Sequence, residues 1–193
     1  MNIFERVYRI LLRPSAEWKI IDEERADLSY LLNIYIAALA AIPAVSGLIG
    51  FSAIGVEVPG AGTVRVPVFS GLLGAVFGYV FAFVAVYGLA AIIYLLAPRF
   101  EASKSFPAAL KLAVYSNTPV WVTGIFLLAP GLWFLTVLGF YGFYLLWSGL
   151  PILMKAPQQR SLLYAAIVIG GAFVLRILIG WCETALFSLP QVI

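Results

Sequence analysis

The chain has 193 residues, of which 63% are hydrophobic and only 11% charged, with a net charge of +3 and a mean hydropathy of +1.03. A soluble domain carries about 25% charged residues, so this composition is that of an all-α membrane protein. Histidine is absent and Cys182 is the single cysteine, which excludes an intramolecular disulfide and argues against bound zinc, haem or iron–sulfur. No cofactor and no nucleic-acid partner is expected.

The first dozen residues alternate charge with apolar side chains and lack the unbroken apolar run of a signal peptide. In residues 1–13, Ile3, Phe4, Val7, Tyr8, Ile10 and Leu11 recur at three-and-four spacing, while Glu5, Arg6, Arg9 and Arg13 fall largely on the other side. This predicts a short amphipathic helix lying at the membrane surface. Pro14 ends it, Ser15 is placed to cap a second turn, and Trp18 reads as an interfacial anchor. With the acidic run Asp22-Glu23-Glu24 and then Arg25 and Asp27, residues 1–27 form an interfacial arm that orients the first span or docks a partner.

Five membrane spans follow, at about residues 28–50, 70–97, 107–128, 132–153 and 161–186, in a single domain covering 1–193. Pro43, Ser46 and Gly47 predict a kink in the outer half of the first. Between the first two spans, Val56-Glu57-Val58 and Thr63-Val64-Arg65-Val66 flank a Pro/Gly turn and predict a small outer-face hairpin. Gly74 and Gly78 form a GxxxG pair suited to close helix approach, within the monomer or in a dimer. Ser105 and Pro107 predict the start of the third span. Ten of the twelve Lys and Arg residues fall on the side of the arm and the even-numbered loops. The positive-inside rule therefore puts the N-terminus in the cytoplasm and the C-terminus outside.

The polar residues inside these spans are the candidate site. Lys111, Tyr115 and Thr118 share one helical stripe, and Pro119 removes the N–H that the Tyr115 carbonyl would have bonded. With Ser116 and Asn117 beside it, this stretch either lets Lys111 snorkel to the interface while the hydroxyls bond their own backbone, or glues helices, or lines a ligand or ion site. Arg176 lies deep in the fifth span, with Glu183 on the same face. The two either share solvation near the outer surface or line a polar cavity. A metal gathered by Asp22, Glu23, Glu24, Asp27 and Glu101 is a more remote option, since clustered acids before a span are usually just solvated.

The arm with Pro14 and Trp18, the five spans, the Lys111-x-x-x-Tyr115-Ser116-x-Thr118-Pro119 run and the Tyr144-Leu-Leu-Trp-Ser-Gly149-Leu150 run together resemble the Yip family, membrane proteins named for interacting with Ypt/Rab GTPases and shared by bacteria. The resemblance implies a multi-pass protein of the bacterial inner membrane. It would work without catalysis through protein–protein or protein–lipid contacts, in membrane organisation or trafficking-like processes. Its partners would be membrane lipids, a second copy of the chain and a further membrane or cytoplasmic protein. Eukaryotic relatives carry a long cytosolic N-terminal region where this chain has about 27 residues, so GTPase binding is not carried over, and no catalytic residue is implied. The alternative function is a small transporter or channel for an ion or solute, with the third-span site facing Arg176 and Glu183.

Overall fold

The chain begins with a pair of short helices. Asn2 caps α1, Ile3–Leu12, by accepting the Phe4 N–H at 3.4 Å, and Glu5 and Arg9 at its two ends complement the helix dipole. Pro14 cannot continue α1 but suits the first turn of a new helix, so it both ends α1 and opens α2, Pro14–Glu23. The expected Ser15 cap is thereby displaced: Arg13 takes the cap position and Ser15 lies inside the first turn. The computed structural model describes residues 2–24, 31–60 and 62–187, with side chains described over 2–24, 34–60 and 62–182. Arg25 and Asp27, and the first residues of the expected first span, lie outside them.

The first span is built of a π turn Leu31–Ile36, helix α3 Ala37–Leu48 and a second π turn Ile49–Ile54. Pro43 sits inside α3, and the wider turns lie at its ends rather than at the proline. Two three-residue strands, β1 Val56–Val58 and β2 Gly62–Val64, pair antiparallel with Glu57 opposite Thr63. Gly55, Gly60 and Gly62 all have positive φ, the backbone these tight reversals need. The pair is tied to the first span by the Val66 N–H on the Phe51 carbonyl at 3.0 Å and by Arg65 Nε on the Ile54 carbonyl at 3.3 Å.

Helix α4, Val68–Leu96, is the long one and runs on into a 3₁₀ turn, Ala97–Phe100. The segment expected as a third continuous span is broken into α5 Phe106–Ser116, α6 Thr118–Thr123 and a 3₁₀ turn Gly124–Leu128. Pro119 accounts for the break, since its ring and missing N–H interrupt the ladder two residues after Asn117. Ser105 holds the cap position of α5 without a side-chain bond, so Pro107 in the first turn marks the helix start. A 3₁₀ stretch, Pro130–Phe140, leads into α7, Tyr141–Leu153, and α8 spans Gln158–Phe187. Among the described residues, four helical stretches are long and apolar enough to cross a membrane: Ile34–Ile54, Val68–Phe100, Pro130–Leu153 and Gln158–Cys182.

Packing is uneven along the bundle. The buried residues of α4 (Val86, Leu89, Ala90, Ile93) lie in its second half, and Tyr164, Ala165 and Val168 lie in the first half of α8. The α4 region packs on α5, which is buried from Ala109 to Ser116, and the α8 region packs on α4, with the Tyr164 hydroxyl donating to the Ile93 carbonyl, so the core sits at the end of the bundle that carries the arm. Towards the strand pair, Leu72, Val76 and Val80 of α4 and Phe173, Val174, Ile177 and Leu178 of α8 are exposed, a lipid-facing apolar surface. Glycines allow close approaches: a Cβ at Gly50 would stand 1.9 Å from the Leu127 carbonyl oxygen, one at Gly142 2.4 Å from the Ser116 carbonyl oxygen, and one at Gly88 2.5 Å from Leu175. The GxxxG pair is used differently. Gly78 has nothing within 4 Å of its Cβ position, and Gly74 and Gly78 line a cleft between α3 and α4 inside the monomer.

Backbone cannot retreat as a flexible side chain can, so Gly142→Ala forces α5 and α7 apart and costs about 1–3 kcal/mol. Gly170→Ala, where nothing lies within 4 Å, should be silent. Unfolding midpoints of the two variants in mild detergent check the contrast, and equal midpoints would contradict the packing described.

Candidate functional site

Lys111 is only 7% exposed and does not reach toward water. Its Nζ donates to the carbonyls of Ile21 and Glu24, each at 2.6 Å. These are carbonyls at the C-terminal end of α2, the end where a helix leaves acceptors unpaired and carries partial negative charge. Lys111, for which one sequence reading was snorkelling to the interface, is bonded within the protein to the end of α2.

One turn further along α5, the Tyr115 ring is surrounded by the arm and the first span. Trp18 meets it edge-on at 6.4 Å between centroids, and Tyr35 meets it edge-on at 4.8 Å. The Arg6 guanidinium lies over it at 5.5 Å from the ring centre. Thr118, the third member of the stripe, is fully buried and shares a hydrogen bond of 2.8 Å with the Tyr35 hydroxyl. Lys111, Tyr115 and Thr118 therefore form one seam between α5–α6, the arm and the first span.

Arg6 is the main surprise of the arm. Grouped with the water-facing charges in the sequence, it is 2% exposed and pairs with Glu17 at 2.6 Å and with Glu24. Burial lowers its pKa, but the hydrogen bond to Glu24 and the charges around it more than offset this, so the guanidinium stays protonated. Trp18 also departs from expectation. It is fully buried rather than interfacial, with Nε1 donating to Ser148 Oγ at 3.1 Å. Gly149 leaves the slot it fills, because a Cβ there would come within 2.8 Å of the indole. Lys155 adds a pair to Asp22 at 2.5 Å, and the Tyr141 hydroxyl donates to the Leu11 carbonyl at 2.9 Å.

Ser116 and Asn117 turn away from this seam. Ser116 Oγ and Asn117 Nδ2 both donate to the Ala113 carbonyl, at 3.2 and 2.8 Å, as residues at a helix break do. On that side Ser116 and Asn117 line a half-open, mostly apolar cavity of about 220 Å³ together with Phe143, Phe173 and Arg176. Pro119 is buried and borders a shallow pocket beside Leu11 and Tyr141. Arg176 is exposed and also lines the second cleft, of about 430 Å³, that Gly74 and Gly78 border. The Glu183 side chain lies outside the described residues, so its pairing with Arg176 is not described.

The acids considered as metal ligands are placed against cations instead: Asp22 on Lys155, Glu24 on Arg6, and Glu101 on Arg160 at 3.0 Å. No group of three His, Cys, Asp or Glu side chains gathers among the described residues. Sequence reasoning missed Arg6, Glu17, Tyr35 and Ser148. A signal existed for Arg6, which stands three residues after Ile3 and four before Ile10, on the face that the arm buries.

The family description "Yip1 domain" matches residues 8–179. The inner membrane protein YohC of Escherichia coli K12 is 27% identical over 180 residues, which cover 90% of this chain and 91% of that protein. The YohC protein of Escherichia coli O6:H1 matches to the same extent. No solved structure matches.

Two variant sets test the seam. Lys111→Met leaves two carbonyls without their donor, and at about 1–3 kcal/mol for each orphaned buried group it should release α2. The readout is faster proteolysis of the arm with a red-shifted Trp18 emission. Arg6→Met and Glu17→Met should each destabilise by about 3–5 kcal/mol, while the double variant recovers much of the loss, because no charge is left buried and unpaired. Additive losses in chemical unfolding would refute the buried pair.

Proposed function

Since the chain belongs to the Yip1 domain family, we propose that it is a non-enzymatic inner-membrane protein whose work is done by contacts with other proteins and with lipids, self-association among them. The observation that carries this reading is the use of the third-span polar residues. Lys111 and Thr118 are engaged in holding the arm and the first span, and neither is turned toward a substrate. What the seated arm offers outward is an apolar row at four-residue spacing, Phe4, Tyr8 and Leu12, which are 82%, 63% and 63% exposed. Exposed aromatic rows of this kind serve as contact surfaces for a partner or a leaflet.

In the arrangement that the cations favour, the chain crosses five times, the broken α5–α6 segment supplying the crossing that continuous helices do not. The arm then lies in the cytoplasm or its leaflet, and the β1–β2 hairpin and the C-terminus lie outside. Membrane organisation or a trafficking-like process is the proposed context, with no GTPase assigned. A small transporter or channel is the second reading, favoured by one observation: Ser116, Asn117 and Arg176 line the same cavity.

Chain solubilised with native lipid should run as a complex larger than the monomer, and Phe4→Ala with Tyr8→Ala should cut that association at least five-fold without changing the unfolding midpoint. Recovery of bare monomer from wild type, whatever the lipid, would sink the leading reading. For the second reading, cysteine placed singly at Asn117 or Arg176 in a Cys182→Ala background should react with a charged thiol reagent in intact membranes, protected by a transported solute. Absence of labelling at both sites would sink it.

A further inference from the structure

Arg176 lies 18 residues beyond Gln158 in α8, about 27 Å along the helix. Its neighbours Phe173, Val174, Ile177 and Leu178 are exposed apolar residues, the surface a helix turns to acyl chains. A guanidinium at that level is costly in hydrocarbon and marks a cavity or a polar partner. Two cavities meet it. The larger, about 430 Å³, runs between α3 and α4; its α4 wall is Ser70, Gly71, Gly74, Ala75, Gly78 and Ala82, and Arg176 also lines it. The smaller, about 220 Å³, continues past Arg176 to the helix break at Ser116 and Asn117.

The shape and chemistry of this pair narrow the occupant. Both clefts are half-open, and among the described residues their linings carry no charge apart from Arg176 and few hydroxyls. A hydrated ion or a sugar would leave most of its polar groups unpaired there. A single cation beside a long apolar slot instead matches an amphiphile with an anionic head. A guanidinium presents five donors in a planar fork, more than one neighbouring side chain takes up, and it holds a phosphate bidentately. The small-residue wall explains the slot. At Gly71 the helix closes on the first span, a Cβ there standing 2.2 Å from Ser52 Oγ, but from Gly74 to Ala82 the cleft-lining residues carry nothing beyond Cβ and Gly78 meets open space, so a groove is left between α3 and α4. A chain-shaped ligand fills such a groove.

We propose that Arg176 and the α3–α4 cleft form a binding site for an anionic membrane phospholipid, the phosphate on Arg176 and one acyl chain along Gly74 and Gly78. The inference deepens the contact-based reading above by naming a lipid class for one of its partners.

The test is native mass spectrometry of the purified full chain with phosphatidylglycerol or phosphatidylcholine of matched chains. Wild type is expected to retain phosphatidylglycerol about ten-fold better than phosphatidylcholine. Arg176→Gln should abolish the preference and Arg176→Lys should weaken it several-fold. Gly78→Leu, whose new side chain enters open space, should expel both lipids while keeping the unfolding midpoint, and it decides the matter if the Arg176 variants fail to fold. Arg13→Gln, which removes an exposed arm cation, should leave retention unchanged. Equal retention of the two lipids by wild type, unchanged retention in Gly78→Leu, or displacement of the lipid by inorganic phosphate alone would each overturn the proposal. The same spectra report the oligomeric state, so loss of self-association and loss of the lipid site register separately.

Discussion

A lysine inside an apolar helix must find acceptors, and a short helix must find donors for its last carbonyls. In this chain the two needs meet: Lys111 of α5 closes the end of α2. From that contact the rest of the arm end follows. With α2 held, Trp18 reaches the slot at Gly149, Arg6 is enclosed between Glu17, Glu24 and the Tyr115 ring, and Tyr35 is drawn onto Thr118. Aromatic edges and charge-assisted hydrogen bonds replace the plain hydrocarbon packing expected of a membrane helix, and they are directional. That fixes which face of α5 meets the arm and which meets the cavity side.

Much of this was legible in residues alone, and the reason is the bilayer. Hydrocarbon tolerates few polar groups, so each one in a long apolar run is visible as an anomaly, and Lys111, Tyr115, Thr118 and Arg176 all stand out in this way. Apolar length likewise marks the membrane helices that structure describes at Ile34–Ile54, Val68–Phe100, Pro130–Leu153 and Gln158–Cys182. What was not legible is partner choice. Periodicity says that Arg6 shares a face with Ile10, but nothing local says that Glu17, eleven residues on, will meet it there after a reversal at Pro14. Trp18 could have met headgroups or a glycine slot, and only the location of Gly149, contributed from far along the chain, decides between them. Proline shows the same limit. Pro43 and Pro119 look alike as helix breakers, yet α3 runs through the first while the second divides α5 from α6.

The two halves of the bundle are built on different principles. At the arm end, buried aromatics and ion pairs fill the space between helices. Toward the strand pair, small residues of α4 leave a cleft against α3 that the described side chains do not fill. With the proposed lipid in the cleft, an acyl chain completes the packing of this half as side chains complete the other. The fold then has a protein-defined half and a solvent-defined half, with Asn117 and Arg176 near the boundary.

The arm has a further consequence in time. Its partners lie far along the chain, 90 residues away for Ile21 and Lys111, 130 for Trp18 and Ser148, and 133 for Asp22 and Lys155. During synthesis at about 5–20 residues per second, those partners emerge on the order of ten seconds after the arm does. Throughout that interval Arg6, Glu17 and Trp18 have no bundle to enter. The amphipathic pattern that reads as a surface helix then serves as the arm's waiting state, parked on the leaflet until α5 and α7 are inserted. Docking of the arm waits on α7, so the first residues made are placed only after most of the bundle has been synthesised.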